Sequence, residues 1–292
     1  MDKKDKTYSK LIICGQIIYW YEYDKPPTKI RPKTVQEDSY DVLDMETTKL
    51  SKDYFEECRK DERRSQTLRD GSNLVKQIAQ LNFFPEDSTF LTQTFADHIT
   101  DIYYSDYEFE KFIKRLRYQT GEPDLKYLAV RELTKKGRIH YHVLVNSRLG
   151  LPPLPDGYAR YKGDNGKTYN NPIAHQYEVE HVYDKEKQIG AIWKHGYVDV
   201  KPLYGEIDNI GAYLVKYMTK TIALELFPGK NFYLLSNLLR RPDVIAGDLA
   251  DQLIESLGLR QKKEVFSNSY ITEYQDMCHF KEINLQRLTL PV

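Results

Sequence analysis

The sequence has no net charge, no paired cysteines and no long apolar segments. Its 292 residues carry 43 Lys and Arg against 43 Asp and Glu, so no overall basic field points to nucleic acid. Cys14, Cys58 and Cys278 form no CxxC pair, which argues against a disulfide framework or a cysteine zinc knuckle and is typical of a reducing cytoplasm. No apolar run approaches the roughly 18 residues of a membrane span, and the charged start does not fit a signal peptide. We therefore expect a cytoplasmic protein with no membrane partner.

Tryptophan is scarce and tyrosine is abundant, with 2 Trp and 24 Tyr. A tyrosine can bury its ring while its hydroxyl stays hydrated, and it can also stack on nucleic-acid bases. Ordinary sheet faces account for the same composition, so any claim about nucleic acid has to come from specific residues.

The chain divides into three predicted regions. Residues 1–88 form an N-terminal extension, with a strand or hairpin over 11–23 and a helix over 52–81 whose basic residues face solvent or contact phosphate. Residues 89–224 form the core, and residues 225–292 are predicted to be helical.

Within the core, alternation predicts strands over 89–95, 125–133, 138–146 and 196–200. An amphipathic helix is predicted over 106–118, and a second helix runs from a cap at Asp208 or Asn209 to about residue 224. Proline and glycine mark a loop-rich insertion that continues to about residue 171.

Two histidines share one face of a predicted strand. His140 and His142 are separated by Tyr141, so alternation directs both imidazoles to the same side, within reach of one metal ion. Two surface histidines would give the same pattern, and the preceding strand decides between these readings.

That strand brings a carboxylate to the pair. A three-residue turn at 135–137, with Gly137 in the left-handed region, pairs Thr134 with Arg138. Glu132 then lies opposite His140. Two imidazoles and a carboxylate on one face suit a divalent ion such as Mg²⁺ or Mn²⁺, and a register shift of one residue would separate them.

The second helix of the core carries a polar stripe. Tyr213, Lys216, Tyr217 and Lys220 follow helical spacing and fall on one face, whereas Leu214 and its neighbours can face the core. A tyrosine hydroxyl can attack a phosphodiester and form a phosphotyrosine, with a lysine stabilising the developing charge. A metal ion would orient the scissile phosphate. A solvated helix face is the alternative interpretation.

Three motifs occur in the order that a known family uses. The segments FLTQTF (90–95), His140-Tyr141-His142 and Tyr213-x-x-Lys216 resemble, in turn, the first motif, the metal motif and the nucleophile motif of HUH endonucleases. The resemblance is to rolling-circle replication initiators of plasmids and small single-stranded DNA phages, and it covers about residues 59–225. A second tyrosine, Tyr217, is similar to that of two-tyrosine phage initiators. Gln93 departs from the first motif, where an apolar residue is expected.

The resemblance implies an α+β fold, with a ferredoxin-like antiparallel sheet that carries the His-x-His motif on its central strand. By the same analogy Glu132 is the acidic metal ligand, Tyr213 is the primary nucleophile, Tyr217 is a possible second one and Lys216 is the motif lysine. The implied reaction nicks single-stranded or hairpin origin DNA, leaves a 5′-phosphotyrosine and later rejoins the strand. Host helicase and polymerase are the implied partners.

Other signals are weaker. The segment 163–168 lacks the first glycine of a phosphate loop, so we expect no nucleotide site. Glu178 and Glu180 alternate on a possible strand and could replace Glu132 as a metal carboxylate, whereas His195 is expected to pack. Near the scissile phosphate, the cationic residues expected to contact DNA are Lys135, Lys136, Arg138, Lys216 and Lys220.

The leading interpretation is thus a replication initiator. The alternatives are an HUH transposase or mobilisation relaxase, and a non-catalytic ferredoxin-like protein that binds nucleic acid. Because the total charge is zero, we expect weak non-specific binding and affinity concentrated at the site.

Overall fold

A computed structural model describes residues 8–14, 17–23, 67–134, 136–158, 161–162, 168–169, 171–204, 210–220, 232–258, 264–267 and 271–277. By its internal contacts the chain divides into two compact units. One comprises residues 1–54 and 241–292, and the other comprises residues 55–240.

The larger unit contains a five-stranded sheet. Its strands are β3 (Thr89–Thr94), β4 (Tyr127–Leu133), β5 (Ile139–Val145), β8 (Val198–Pro202) and β9 (Tyr233–Leu235), in the order β8-β3-β5-β4-β9. Every neighbouring pair is antiparallel. Helix α2 (Ile102–Thr120) links β3 to β4, and α4 (Tyr183–Trp193) precedes β8. The resulting β-α-β-β-α-β succession is ferredoxin-like, and β5 is its central strand. The predicted α+β class is confirmed.

A further helix, α1, precedes this sheet in the chain. The structure describes it over residues 67–82, and its side chains Val75, Ile78 and Ala79 are fully buried in the core of the larger unit. It coincides with the second half of the helix predicted over 52–81. The first half of that prediction, with most of its basic residues, lies outside the described residues.

One face of the sheet is covered by α2 and α4. The α2 side chains Phe109, Phe112 and Leu116 are fully buried, and they form the core together with alternate residues of the central strands. Helix α2 begins where the Asp101 carboxylate accepts hydrogen bonds from two backbone amides, and it ends at Gly121 in the left-handed conformation. The helix is therefore longer than the predicted 106–118, because Asp101 provides an earlier cap.

A buried ionic network joins α2 to the central strands. The Arg131 guanidinium donates to both Asp106 carboxylate oxygens at 2.8 Å, and the Tyr141 hydroxyl donates to Asp106 Oδ1 at 2.9 Å and Ser105 Oγ at 3.0 Å. Tyr141 is the residue between the two histidines. Its ring therefore anchors β5 to α2 on the face opposite the imidazoles.

The segment between β5 and β8 is partly helical. It contains a short hairpin of β6 (Tyr161–Lys162) and β7 (Thr168–Tyr169), followed by α3 (Pro172–Tyr177) and a π-helical turn (Glu178–Val182) that continues into α4. Asn171 caps α3, and Pro172 occupies its first position. The predicted strand through Glu178 and Glu180 is wrong, because this cap starts a helix that runs through both residues.

The smaller unit contains the second sheet. The strands β1 (Tyr8–Cys14) and β2 (Ile17–Tyr23) form the hairpin predicted over 11–23. They are joined by β10 (Asp243–Ala246), β11 (Glu264–Ser267) and β12 (Ile271–Met277), in the order β10-β1-β2-β12-β11. Helix α6 (Asp248–Ser256) packs on this sheet through Ala250, Leu253 and Ile254, which contact Leu11, Ile18 and Trp20.

The prediction that 225–292 is helical is therefore wrong for the described residues. They contain α6 but also β9, β10, β11 and β12, because β1, β2 and β4 offer edges to which short segments pair. The boundaries predicted at residues 88 and 224 remain predictions.

Candidate functional site

The site lies on the sheet face opposite α2 and α4. Alternation along the strands places Thr92 and Thr94 of β3, His140 and His142 of β5, and Glu132 of β4 on this face. In the register Thr94 pairs with His140 and Thr92 with His142, while Glu132 pairs with His140 from the other side. The predicted pairing of Glu132 with His140 is confirmed.

The β4–β5 turn sets this register. Thr134 N donates to Arg138 O at 2.9 Å, and Gly137 N donates to Thr134 O at 2.8 Å. Gly137 has φ +76°, a conformation that glycine adopts without strain. The Thr134 side chain also accepts from Arg138 N at 3.1 Å, so the turn closes as the sequence predicts.

His142 is held on both ring nitrogens. Its Nε2 lies 2.7 Å from Glu132 Oε2, and its Nδ1 lies 3.4 Å from Thr92 Oγ1. The imidazole is 4% exposed and stacks on the Tyr217 ring, with the centroids 3.5 Å apart. Phe90 lies nearby, with its ring centroid 5.9 Å from that of His142. The orientation of His142 is therefore fixed by packing as well as by hydrogen bonds.

His140 is half-buried one row further along the strand. Its burial lowers the pKa, because the charged imidazolium is less well solvated there. The Glu132 carboxylate opposes this shift, whereas His142 and Arg138 reinforce it. The neutral imidazole, which is the form that binds metal, is thus favoured.

Two tyrosines face the histidines from α5 (Ile210–Lys220). The Tyr217 hydroxyl donates to the Tyr213 hydroxyl at 2.7 Å. Burial raises the pKa of Tyr217, and the hydrogen bond to Tyr213 adds to the shift. Tyr213 is 37% exposed and packs edge-on against Phe90, with the ring centroids 5.3 Å apart. Tyr213 therefore presents its hydroxyl toward solvent, and Tyr217 fills the space between Tyr213 and His142.

Helix α5 is held in place by its apolar side and by one glycine. Leu214 and Met218 are fully buried, as the stripe predicts. A Cβ on Gly211 would lie 2.5 Å from the Cα of Lys76, which belongs to α1. This close approach of α1 to α5 needs glycine. It sets the height of the two tyrosines above the sheet.

The predicted cationic residues are placed unequally. Lys216 is exposed, and its Nζ lies 5.9 Å from the centroid of the Tyr213 ring. Lys136 is exposed beside the turn, and the half-buried Arg138 reaches Phe95 O with Nη1 at 3.4 Å. Lys135 and the Lys220 side chain lie outside the described residues.

The donor types fit a divalent metal, but the donors are not gathered around one. Within the described residues, no group of three or more His, Cys, Asp or Glu side chains is arranged to hold an ion. Glu132 and His142 instead bond to each other. Metal binding at Glu132, His140 and His142 would require this pair to exchange its hydrogen bond for two metal–ligand bonds.

Sequence reasoning missed Asp199, a second carboxylate on this face. The register pairs Asp199 of β8 with Thr92, and Asp199 Oδ2 lies 2.7 Å from Lys201 Nζ. The alternation in 198–202 shows which residues share a face, but only the pairing of β8 with β3 shows that this face is that of the histidines.

The remaining histidine of interest packs, as expected. The His195 ring contacts Trp193 and Phe95, and its Nε2 lies 2.8 Å from Glu108 Oε2. That ion pair and the neighbouring Lys111 lower the pKa of Glu108 against the opposing effect of burial, which is the largest single contribution.

These features define a class: an α+β domain with a ferredoxin-like sheet whose His-x-His strand faces a helix carrying two tyrosines. Residues 88–222 match the model of a replication-associated protein family, the one that includes ORF2. The match spans β3 to α5 and confirms the resemblance to rolling-circle replication initiators.

A relative in Escherichia coli is similar over the same length. The Phasyl DNA replicon protein arp is 29% identical over 136 residues, which are 46% of this chain and 43% of that protein. The chain thus aligns with less than half the length of this relative. No solved structure matches the chain. Among the described helices, none combines the length and apolar character needed to cross a membrane.

Proposed function

We propose that this protein initiates rolling-circle replication by nicking and rejoining single-stranded DNA, with Tyr213 as the nucleophile. The proposal depends chiefly on one observation: the tyrosine pair of α5 packs directly on the His-x-His face, with the Tyr217 ring 3.5 Å from that of His142. The match of residues 88–222 to replication-associated proteins supports it independently.

The reaction is a phosphoryl transfer to tyrosine. The Tyr213 phenol oxygen forms a bond to phosphorus while the bond from phosphorus to the 3′ oxygen breaks. The phenol loses its proton and the departing 3′ oxygen gains one, so the products are a 5′-phosphotyrosine and a free 3′-hydroxyl. The 3′-hydroxyl can prime a host polymerase. Attack by a later 3′-hydroxyl on the phosphotyrosine reverses the step and rejoins the strand.

Tyr217 and Lys216 assist the nucleophile in this proposal. Tyr217 donates a hydrogen bond to the Tyr213 oxygen, which stabilises the negative charge that develops there. The Lys216 ammonium, 5.9 Å from the Tyr213 ring, acts in the same direction. Tyr217 is also the candidate second nucleophile, and for that role it would have to break its bond to Tyr213 and turn toward the DNA.

His140, His142 and Glu132 are the residues that would hold a divalent cation, Mg²⁺ or Mn²⁺. When bound, such an ion would polarise and orient the scissile phosphate. In the metal-free arrangement Glu132 holds the His142 imidazole in place. Lys136 and Arg138 lie beside the turn, where they would contact neighbouring phosphates together with Lys135 and Lys220.

The test is capture of the covalent adduct. The full chain is incubated with randomised single-stranded oligonucleotides and Mn²⁺ or Mg²⁺, and protein linked to DNA is isolated under denaturing conditions. Sequencing the captured DNA identifies the nicked site, and mass spectrometry identifies the linked tyrosine. We expect the link at Tyr213 in the wild type and no adduct in the Tyr213→Phe/Tyr217→Phe double variant.

Two variants separate the parts of the proposal. Tyr213→Phe alone should abolish the adduct, unless Tyr217 acts as a nucleophile, in which case the link moves to Tyr217. His140→Ala should abolish the adduct and preserve some DNA binding. An adduct that survives in the double tyrosine variant would refute the tyrosine mechanism, and full activity in His140→Ala would refute the metal assignment.

The rival interpretations give different products. A non-catalytic binding protein forms no adduct with either metal. A transposase or relaxase would form the adduct, but only an initiator should nick a supercoiled plasmid carrying the captured site so that added host helicase and polymerase extend the 3′ end into single-stranded circles.

A further inference from the structure

An exposed tyrosine lies in the same row of the sheet as the candidate site. Tyr197 immediately precedes β8 and is 60% exposed. Its carbonyl accepts a hydrogen bond from Thr94 N at 2.9 Å, and Thr94 in turn pairs with His140. The row across the sheet is therefore Tyr197, Thr94, His140 and Glu132.

The strand pattern gives the face on which Tyr197 lies. Along β8 Val198 and Val200 are buried, and Asp199 is paired with Thr92 on the histidine face. Alternation puts Tyr197 on the side of Asp199. Burial and the carboxylates of Glu186 and Asp199 raise the Tyr197 pKa, which agrees with this placement and keeps the ring neutral.

The spacing suits a bound strand. Adjacent strands lie about 4.8 Å apart, so Tyr197 is about 10 Å from His140, across Thr94. A nucleic-acid strand whose scissile phosphate sits at the histidines must continue over the neighbouring surface. A base next to that phosphate can reach the Tyr197 ring.

We infer that Tyr197 stacks on a base of single-stranded DNA flanking the scissile phosphate, an inference that rests on the proposed function. The surroundings favour a base over an apolar protein partner. The neighbours of Tyr197 on this face are polar, namely Thr94, Asp199 and Lys201, whereas a protein interface would need a contiguous apolar patch. A single aromatic ring within a polar surface is suited to stacking, which every base can provide.

The test measures binding apart from chemistry. The Tyr213→Phe/Tyr217→Phe variant selects oligonucleotides from a randomised single-stranded pool, and one of them is remade with a fluorescein label. Fluorescence anisotropy then gives its Kd. Adding Tyr197→Ala should weaken binding about 5- to 150-fold, and Tyr197→Phe should stay close to the parent because the ring remains.

A matched control comes from α2. Tyr118 is 89% exposed on the last turn of that helix, on the opposite face of the sheet, so Tyr118→Ala should leave Kd unchanged. Thermal melting of each variant shows whether the fold is retained. A Tyr197→Ala variant that binds as tightly as its parent overturns the inference, and so does a parent that binds no single-stranded DNA.

The position of the stacked base gives a second readout. With 2-aminopurine placed at each position in turn, stacking should quench the fluorescence at one position, and Tyr197→Ala should remove that quenching. Absence of any position that depends on Tyr197 argues against stacking. The adduct assay stays separate: a wild type that forms the adduct while Tyr197→Ala binds normally refutes this inference alone, and a wild type that binds DNA without an adduct refutes the nicking proposal alone.

Discussion

At the scale of single residues, Gln93 is an unusual component of the core. Its side chain is fully buried on the α2 face of β3, and among the described residues neither its amide nitrogen nor its amide oxygen has a hydrogen-bond partner. An unsatisfied amide costs about 1–3 kcal/mol, and an apolar residue of similar shape avoids that cost. This is also the position at which the sequence departs from the apolar residue expected in the first motif.

We therefore predict that Gln93→Met stabilises the protein by about 1 kcal/mol, which raises Tm by a few degrees. Differential scanning calorimetry measures the change. Gln93→Glu is the matched control and should be strongly destabilising, because it buries a charge in the same space. A lower Tm for Gln93→Met would mean that the amide is satisfied, for example by a buried water molecule.

The sequence predicts the positions of the site residues better than their contacts. The pairing of Glu132 with His140 follows from one short turn, so local residues are enough to predict it. The bond between Glu132 and His142 is diagonal across the strands, and it depends on how Tyr217 packs on the imidazole from a helix much later in the chain, a packing that no local pattern contains.

At the scale of secondary-structure elements, the position of the tyrosines depends on the contact between α1 and α5. A Cβ at Gly211 would lie 2.5 Å from Lys76 Cα and 2.9 Å from Lys76 O, both backbone atoms that cannot move independently of α1. We predict that Gly211→Ala pushes α5 outward, destabilises the protein by about 1–3 kcal/mol and reduces adduct formation. Chemical denaturation and the adduct assay measure the two effects.

Gly190→Ala provides the control for that prediction. Gly190 lies within α4, and a Cβ there meets nothing within 4 Å. Alanine should then stabilise the helix by up to about 1 kcal/mol, with no loss of adduct. Equal behaviour of the two alanine variants would contradict the close contact at Gly211.

The buried network beneath the histidines is a second element-scale device. Asp106→Ala leaves Arg131 buried without its carboxylate, so we predict a loss of about 3–5 kcal/mol in the free energy of unfolding. Tyr141→Phe leaves the Arg131–Asp106 pair intact and should cost only about 1 kcal/mol. Urea denaturation measures both. Similar losses in the two variants would mean that the ion pair is not the main contribution.

Elements with a clear period were predictable, and elements defined by partners were not. Strands β3, β4 and β5 alternate over six or seven residues, and each is close to its predicted range. Strand β9 has three residues and β10 has four, and both exist because β4 and β1 offer unpaired edges. Such short strands carry too little pattern to distinguish them from turns or helix ends, so the C-terminal region was misjudged.

At the scale of the whole molecule, the zero net charge constrains how DNA can bind. With 43 basic and 43 acidic residues, the protein provides no general attraction for a polyanion, and its cations are partly neutralised locally, as where Asp199 pairs with Lys201. Affinity must then come from a few phosphates close to the site and from stacking. Stacking is insensitive to salt, unlike phosphate contacts.

This predicts a shallow salt dependence. If about three cations contact phosphate, the plot of log K against log salt for a selected single strand should have a slope near about −2. Lys136→Gln should make that slope shallower by about 0.7, because one contact is removed. Lys187, which pairs with Asp184 on α4, supplies the control, since Lys187→Gln should leave the slope unchanged. Anisotropy titrations between low and physiological salt measure these slopes. Tight binding to duplexes of unrelated sequence at physiological salt, with a slope several times steeper, would show that a broad basic surface binds the DNA instead.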